Sequence, residues 1–575
     1  MQDKSASDRV NLILDIFSWG LLGLMLIFLW GLKSFSFQWE PGDEAIYLYM
    51  SWAALDHGAI PYRDYFFAHP PFQLVWSVPF FAVFGFNPVA AKALPLVASS
   101  LTGILIFLMS KKKIGRVAAV SSAFLFLTAF SLLRSTTFWT GVHESVLLAT
   151  LGLWFFLKKK PSWAGICLAL GVCTGTYILP AALLIGALAA IDERETLKKY
   201  GRALLSVWGF TQLTGLILGG SEYLRSVYLF HFQKPEAKQS AWRDTIQHFF
   251  MNFSLFWVGL NGLWLALVER KNRLANSKQK RNPFFLIRLR HFIFDDERFL
   301  VAFIGGAWAI GYLVFLHLLK KRFSFYYHLV FPGLALSSGY LAQQVFEWVL
   351  FSIKELKTDF SIRWNANLAF RLMTIILLVG GYALYRPAYE ALLPGSIRKK
   401  DQEMKWKDSP IPIANSFFKW CCWDSVALAG VEYGNPQETL FRNGDFFRPL
   451  NTLTDFISQH STENDTLFGD SITVGLVALL SNRRLEKDFA DTNTMRFTSK
   501  ITPVEEAIKA IDNPSLKYVL VSAQKTGDGT KGQEAYRYHR FASVPGFRKW
   551  LESNFKIALE VPLARNRSYL LLEKK

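Results

Sequence analysis

The stretch QWEPGDEAIYLYMSWAALDHG, residues 38–58, follows the first long apolar run of the chain and carries two adjacent acids, Asp43 and Glu44. It continues directly into AIPYRDYFFAHPPF, residues 59–72, which is rich in aromatic side chains and also contains cationic ones. Ionised groups next to a bilayer are costly and need a specific reason to be there. The topology and the function of the chain therefore both depend on where this stretch lies.

The composition is typical of a membrane protein that crosses the bilayer many times. Of the 575 residues, 51% are hydrophobic and 16% are aromatic, and many runs approach the ~20 apolar residues that a spanning helix requires. Residues 12–32 are too long for the apolar core of a signal peptide and are not followed by a small-residue cleavage site, so they predict a retained anchor. The net charge of +19 is explained by Lys and Arg in cytoplasmic loops, and no nucleic-acid partner is expected.

The apolar runs predict a polytopic helical protein with about eleven transmembrane helices and additional juxtamembrane helices. The predicted spans are residues 12–32, 88–110, 116–133, 143–157, 162–176, 178–191, 202–220, 251–268, 298–318, 328–350 and 368–386. The pair 162–176 and 178–191 could also form one long, tilted helix. The run 70–86 is doubtful, because it opens with two prolines and is short.

The distribution of basic residues indicates whether the run 70–86 crosses the membrane. Basic clusters lie at residues 111–116, 158–160, 194–202, 270–297 and 354–363. If 70–86 does not cross, all of these clusters fall on the cytoplasmic side, as the positive-inside rule requires. We therefore interpret 70–86 as a juxtamembrane or re-entrant segment. The outer face then carries residues 33–87, 134–142, 221–250 and the C-terminal tail.

The tail has a different composition from the rest of the chain, and we divide the protein into a transmembrane domain, residues 1–387, and an extracytoplasmic α/β domain, residues 388–575. The tail is polar, and its short apolar segments alternate with helical stretches such as 503–512, which is an α/β pattern. The predicted strands are 465–470, 517–523, 555–561 and 568–574.

Three acids on the predicted outer face are candidates for chemistry. Asp43 and Glu44 follow a Pro-Gly turn, and acids at a helix start could simply satisfy free N–H groups. A carboxylate within reach of a hydroxyl could instead act as a general base. Glu144 opens a span on the same side, where it could cap the helix or bind substrate. His143 beside it is a weak metal signal, and neither a metal nor another cofactor is expected.

Cations on the outer face are the second group of candidates. Lys321 and Arg322 break the positive-inside rule, and they are either tolerated there or bind phosphate at the membrane surface, where a low dielectric strengthens the attraction. The other candidates in the outer segments are Arg63, His69, Lys234 and Arg243. An ordinary aromatic belt at the membrane interface would also explain the surroundings of Arg63 and His69.

Four stretches, in this order along the chain, resemble motifs of the polytopic glycosyltransferases of the GT-C fold that depend on lipid-linked sugars. They are PYRDYFFAHPPFQLVWSVPFFAVFGFNPVAAKALP (61–95), GVHESVLLATLGLWFFLKKK (141–160), RFSFYYHLVFPGLALSSGYLA (322–342) and TENDTLFGDSITVGLVALLSNRR (462–484). Bacterial members of this family include lipid A aminoarabinose transferases and protein O-mannosyltransferase-like enzymes. One departure is CTGTYILP (173–180), where many relatives carry a Lys or Arg and this chain has threonines.

The resemblance implies a role for each candidate residue. Asp43 matches the catalytic acid and is favoured over its neighbour Glu44 for that role. Glu144, with His143 next to it, matches an acid that holds acceptor or donor. His69 and Arg63 match the region that contacts the sugar phosphate. Lys321, Arg322 and His328 would lie near the leaving phosphate.

The resemblance also implies the reaction. A sugar on a polyprenyl-phosphate donor would pass, with inversion, to a hydroxyl of an envelope glycan, lipid or protein acceptor on the outer face of a membrane, expected to be the bacterial inner membrane. A transporter or flippase of lipid-linked sugars is the alternative, but it should carry charges near the middle of the bilayer and internal repeats. A scaffold without activity is a third possibility. The oxocarbenium-like chemistry needs a carboxylate on one side and cations on the other.

Overall fold

The computed structural model describes residues 2–34, 37, 39, 41–235, 240–276, 285–358, 371, 373–376, 447–499, 501–526, 532–563 and 566–575. Within these residues, a bundle of apolar helices is followed by a smaller unit that contains a β-sheet. The predicted boundary between the two domains, at residues 387 and 388, lies outside the described residues.

The apolar runs of the first part form helices. They are α1 (Gln2–Ser34), α2 (Asp43–His57), α3 (Phe72–Phe84), α4 (Pro88–Lys113), α5 (Arg116–Leu127), α6 (Phe130–Ser135), α7 (Val142–Leu157), α8 (Pro161–Thr174), α9 (Leu179–Asp192), α10 (Arg194–Leu224), α11 (Phe230–Gln233), α12 (Ala241–Met251), α13 (Phe253–Asn276), α14 (Phe285–Phe294), α15 (Glu297–Leu318) and α16 (Phe331–Thr358). A 3-10 turn, Ser324–Val330, leads into α16.

Each predicted span up to residue 350 coincides with one or two of these helices, and the span 368–386 lies almost wholly outside the described residues. Four described helices are long and apolar enough to cross a membrane singly, and a pair bent by 99°, α12 with α13, would add a fifth. Several other spans are short because breaks interrupt them, as between α5 and α6. The doubtful run 70–86 contains α3, about 20 Å long at 1.5 Å per residue, which is shorter than a ~30 Å core, as are the single helices α5, α8 and α9 of other predicted spans.

Close helix packing in the bundle depends on small residues. Gly262 of α13 faces the backbone of Ser337 in α16, and a Cβ atom at Gly262 would clash with that carbonyl group. Gly305 of α15 and Gly333 of α16 face each other's carbonyl oxygens in the same way. Small residues of this kind allow helices in a bilayer to approach closely, where van der Waals contact replaces the hydrophobic effect.

The C-terminal unit is a five-stranded sheet with helices packed on it. Its elements are α17 (Phe447–His460), β1 (Thr466–Gly469), α18 (Val474–Ser481), α19 (Thr494–Thr498), α20 (Val504–Ile511), β2 (Leu516–Lys525), β3 (Tyr536–Tyr538), α21 (Pro545–Asn554), β4 (Phe555–Leu563) and β5 (Arg567–Lys574). The strand order is β1-β2-β5-β4, β3 pairs with β2, and only β1 and β2 run parallel. The four predicted strands and the predicted helix are confirmed, while β3, with three residues, was not predicted.

The C-terminal unit packs on α2, the helix that begins at Asp43. Buried apolar side chains of α2 and of α18 belong to one hydrophobic cluster. The Tyr49 hydroxyl donates to Asp488 at 2.7 Å and accepts from the Leu485 backbone N–H at 2.8 Å. A Cβ atom at Gly475 of α18 would lie 2.7 Å from the Ala45 carbonyl oxygen. The first outer segment and the C-terminal unit are therefore joined through a shared core.

We expect Gly475→Ala to loosen this junction, because the added methyl group meets backbone that cannot move aside. Overpacking of this kind typically costs about 1–3 kcal/mol. Limited proteolysis of the purified protein should release a C-terminal fragment faster than in the wild type. Gly201→Ala in α10 is the control, since a Cβ atom there meets nothing within 4 Å. Equal proteolysis rates for the two variants would contradict a tight α2–α18 contact.

Candidate active site

A cleft at the N-terminus of α2 gathers polar side chains from distant parts of the chain. Its volume, including the open mouth, is about 600 Å³. The residues that line it are Asp43, Ile46, Tyr47, Ala68, His69, Thr140, Val142, Tyr177, Phe230, His231, Lys234, Phe323, Phe325, Tyr326, Asp491, Asn493 and Met495. The cleft therefore combines two carboxylates, one ammonium group, two imidazoles and several aromatic walls.

Asp43 is the first residue of α2 and lies in the cleft without capping the helix. The N-cap position is Gly42, which makes no side-chain cap bond. The Gly42 backbone N–H donates to the Ile472 carbonyl oxygen of the C-terminal unit at 2.7 Å, and a Cβ atom at Gly42 would lie 2.7 Å from the Phe138 ring. No hydrogen bond ties the Asp43 carboxylate to another described residue, so it is available to a ligand.

Glu44 faces away from the cleft, into the protein. Its carboxylate is fully buried and forms an ion pair with Lys92 of α4, whose ammonium nitrogen lies 2.8 Å and 2.9 Å from the two carboxylate oxygens. The Trp139 backbone N–H also donates to Glu44 at 2.9 Å. Successive side chains of a helix point about 100° apart, so this ion pair directs its neighbour Asp43 into the cleft.

The two carboxylates of the cleft, Asp43 and Asp491, are buried, and burial raises the pKa of each. Burial raises the pKa of Asp43 above its ordinary value, and the nearby Asp491 raises it further, whereas Arg540, Lys321 and Lys234 oppose the shift. Burial likewise raises the pKa of Asp491. Each carboxylate therefore holds its proton more readily than an exposed aspartate does.

Lys234 is the cation that lines the cleft. It donates to His231 Nδ1 at 2.9 Å, and its ammonium group lies 4.6 Å from the centre of the Phe230 ring. Burial lowers the pKa of Lys234 to about 8, with a contribution from Lys321. Lys321 lies close enough to interact with Asp43. Of the predicted cations, Lys234 and Lys321 are thus the two brought near Asp43.

His69 also lines the cleft, and its ring is neutral. It hydrogen-bonds to the Tyr47 hydroxyl at 3.0 Å, and burial lowers the pKa of His69 to about 3. It therefore offers a hydrogen bond rather than a charge. Arg63, six residues earlier, is exposed and forms an ion pair with its neighbour Asp64 at 2.9 Å, outside the set of lining residues.

Glu144 lies in the first turn of α7, two residues after the lining residue Val142. Its side chain is buried, and neither carboxylate oxygen has a hydrogen-bond partner in another described residue. The side-chain amide of Gln73, which is fully buried, also lacks a hydrogen-bond partner among the described residues. Buried polar groups without partners are costly, and they indicate a place where a polar ligand or water binds.

His143 and His328 are brought together, but in a buried network behind the cleft. Their ring centres lie 5.1 Å apart, and Ser135 Oγ lies within hydrogen-bonding distance of both rings. Ser99 Oγ lies 2.9 Å from His143 Nδ1. In the described structure, these two histidines connect α4, α6, α7 and the 3-10 turn, and neither lines the cleft.

The other two predicted cations do not line the cleft. Arg322 forms an ion pair with Asp244 of α12 at 2.9 Å and is largely buried, so its charge is already balanced. Arg243, also on α12, is exposed. The sequence had grouped Arg322 with Lys321, which is its neighbour in the chain, yet the structure separates their surroundings.

The sequence did not predict the contribution of the C-terminal unit. Asp491 and Asn493 lie in the loop before α19 and line the cleft together with Met495. The stretch of the tail that carries the family resemblance ends at residue 484, just before this loop. No spacing rule connects residue 491 with residue 43, so only the folded chain reveals that they meet.

Among the described residues, no group of three or more His, Cys, Asp and Glu side chains is arranged to hold a metal ion.

Comparison with solved structures identifies the fold. The crystal structure of ArnT from Cupriavidus metallidurans in the apo state matches with a TM-score of 0.53 at 13% sequence identity, over 98% of both chains. This chain has an ArnT-like fold. The crystal structure of ArnT bound to undecaprenyl phosphate matches with a TM-score of 0.51 at 12% identity, over 98% of this chain and 97% of the ArnT chain. The predicted fold class, a polytopic GT-C-like helical protein with a C-terminal α/β domain, is confirmed.

A third structure, the archaeal oligosaccharyltransferase AglB from Archaeoglobus fulgidus in complex with an inhibitory peptide and a dolichol-phosphate, has a TM-score of 0.47 at 12% identity, over 95% of this chain and 80% of the other. No protein-family model and no curated protein matches the sequence.

Glu44→Gln tests the ion pair that orients Asp43. The substitution removes the carboxylate charge from a fully buried ion pair with Lys92, and breaking a buried pair typically costs about 3–5 kcal/mol. Thermal unfolding in detergent should show a clearly lower midpoint. The double variant Glu44→Gln with Lys92→Met should recover much of the loss, because both charges of the buried pair are then replaced by neutral groups.

The matched control is Arg63→Gln, which breaks an exposed ion pair and should leave the unfolding midpoint unchanged. If Glu44→Gln unfolds at the wild-type temperature, the pair does not hold the start of α2.

Proposed function

We propose that the protein is an inverting glycosyltransferase that moves a sugar from a polyprenyl-phosphate donor to an acceptor hydroxyl. One observation carries this proposal: a carboxylate free of hydrogen bonds to described residues, Asp43, shares an aromatic-walled cleft with the ammonium group of Lys234. The pair supplies a base for the acceptor and a charge for the leaving phosphate. The ArnT-like fold supports the proposal, because one ArnT structure is bound to undecaprenyl phosphate.

The proposed reaction is a single displacement at the anomeric carbon. Asp43 takes the proton of the acceptor hydroxyl, and the oxygen forms a bond to the anomeric carbon from the face opposite the phosphate. The bond from that carbon to the phosphate oxygen breaks, and its electron pair leaves with the polyprenyl phosphate. Lys234 and Lys321 stabilise the negative charge on the leaving group in a site of low dielectric. The neutral ring of His69 contributes a hydrogen bond.

We propose that Glu144 contacts the sugar. Its carboxylate is buried without a partner among the described residues, close to the lining residues Val142 and Tyr177. A sugar hydroxyl that donates to Glu144 would satisfy this carboxylate. Gln73, whose amide is similarly unpaired, lies in van der Waals reach of the loop before α7, since a Cβ atom at Gly141 would lie 2.9 Å from its side chain.

We further propose the orientation and the domain limits expected from the sequence. The basic clusters of the loops would face the cytoplasm, and the cleft and the C-terminal domain, residues 388–575, would lie on the outer face of a bacterial inner membrane. The transmembrane domain, residues 1–387, would take the lipid of the donor from the bilayer. The acceptor would be an envelope glycan, lipid or protein.

Asp43→Asn should abolish transfer while the protein stays folded, because the amide keeps the shape of the side chain but cannot take a proton. Loss of a general base typically costs about 10²–10⁴ in rate. The measurement is the release of undecaprenyl phosphate from a lipid-linked sugar donor by purified protein. Asp455→Asn, at an exposed position of α17, is the control. Full turnover by Asp43→Asn would exclude Asp43 as the base.

The pH dependence of turnover should be bell-shaped. Asp43 acts as a base only when ionised, and its raised pKa places the acidic limb at a higher pH than an ordinary aspartate would. Lys234 loses its charge as the pH rises through about 8, which sets the basic limb. Lys234→Arg should move the basic limb to higher pH, because arginine stays charged. An unchanged basic limb in that variant would show that another group sets it.

A further inference from the structure

The wall of the cleft that comes from the C-terminal unit is polar and partly unsatisfied. Asp491 Oδ1 accepts the Asn493 backbone N–H at 3.0 Å, and Asn493 Oδ1 accepts the Met495 backbone N–H at 3.1 Å. The second carboxylate oxygen of Asp491 and the amide nitrogen of Asn493 have no hydrogen bond to another described residue. Both residues line the cleft, so an acceptor oxygen and a donor nitrogen are offered side by side.

The loop that carries these groups is held firmly against the first outer segment. The guanidinium group of Arg496 lies between two rings, 4.6 Å from the centre of Phe66 and 4.4 Å from the centre of Phe489. It also donates to the Asp491 carbonyl oxygen at 3.0 Å and to Thr502 Oγ1 at 2.8 Å. A site whose supporting shell is fixed in this way is preorganised for binding.

The charge of Asp491 makes its wall of the cleft unfavourable for an anion. Asp491 acts electrostatically on both Lys234 and Asp43, and so does Lys321. A phosphate group is repelled by Asp491 and attracted by Lys321. The wall formed by Asp491 and Asn493 therefore suits an uncharged ligand group that both donates and accepts hydrogen bonds.

Neighbouring hydroxyl groups of a sugar have this chemistry, since one can donate to a carboxylate while the next accepts from an amide. The aromatic walls of the cleft, which include Tyr326 and Phe323, provide apolar surface for the face of a sugar ring. A peptide acceptor would lack such paired hydroxyl groups.

We propose that Asp491 and Asn493 form a subsite that binds neighbouring hydroxyl groups of a sugar acceptor. This inference rests on the proposed function, because it assigns the acceptor side of the same reaction. It makes the acceptor class a carbohydrate or a glycolipid, and it gives the C-terminal domain a direct part in acceptor choice.

Binding of three probes to the full-length protein in nanodiscs tests the subsite. Undecaprenyl phosphate reports on the donor side, and octyl β-D-glucopyranoside and octyl α-D-mannopyranoside report on the acceptor side. We expect Asp491→Asn and Asn493→Ala to weaken glycoside binding at least about tenfold, since each leaves a hydroxyl without its partner. The affinity for undecaprenyl phosphate should change less than about twofold. Lys321→Met should give the opposite pattern, and Glu505→Gln, exposed on α20, should change neither.

The outcomes separate the subsite from the proposed function. Glycoside binding that is absent in the wild type, or equal in Asp491→Asn and the wild type, overturns the subsite alone. If Asp491→Asn weakens undecaprenyl phosphate as strongly as Lys321→Met does, Asp491 belongs to the donor side and the subsite is likewise overturned. A wild-type protein that does not bind undecaprenyl phosphate overturns the proposed function and, with it, the subsite.

Discussion

The buried ion pair between Glu44 and Lys92 is the interaction on which the arrangement of the cleft depends. It fastens the first turn of α2 to α4 at a point where neither charge reaches water. Two adjacent acids at the start of a helix would otherwise repel each other and compete for the same surroundings. Because one of them is held inside by a cation, the other is left to face the cleft. The pair thus separates two residues that are chemically alike into a structural acid and a free one.

Helix α2, which this ion pair fixes, also holds the C-terminal unit in place. The face of α2 that includes Tyr49 packs on the C-terminal unit, and Tyr49 and Asp488 hydrogen-bond directly. A sheet domain attached only by a chain segment would be free to move relative to the bundle. Here it shares a core with the helix that begins the cleft, and Arg496 adds a contact to the ring of Phe66. The C-terminal loop therefore keeps its place relative to Asp43.

Much of the fold could be predicted from the sequence because it depends on local pattern. Apolar runs gave the positions of the helices, and short apolar segments gave four of the strands. Where a helix break lies inside an apolar run, as between α5 and α6, composition alone predicts one span and the structure has two helices. Strand β3 has only three residues and no pattern of its own, and its pairing with β2 depends on the folded sheet.

The site was predictable only in part, because sequence patterns are local and several contacts of the site join distant parts of the chain. Asp43 could be selected because its position after the first helix and its surroundings are local features. The sequence favoured Asp43 over Glu44, but the ion pair that holds Glu44 inside depends on Lys92, which is 48 positions away. Lys321 and Arg322 look equivalent in the sequence, but Asp244 of another helix neutralises one of them. Asp491 reaches the cleft only through the packing of α2 on α18, which no sequence pattern reports.

The joining of the two ends of the chain at one cleft has a consequence for biosynthesis. Tyr49 and Asp488 meet although they lie 439 positions apart, so the bundle is made long before the loop that closes the cleft leaves the ribosome. During that interval the cleft already contains Asp43 but still lacks the wall formed by the loop of the C-terminal unit. A message truncated before codon 491 would encode a chain that inserts its helices and lacks that wall, and quality control by proteases would meet an open, aromatic-lined groove.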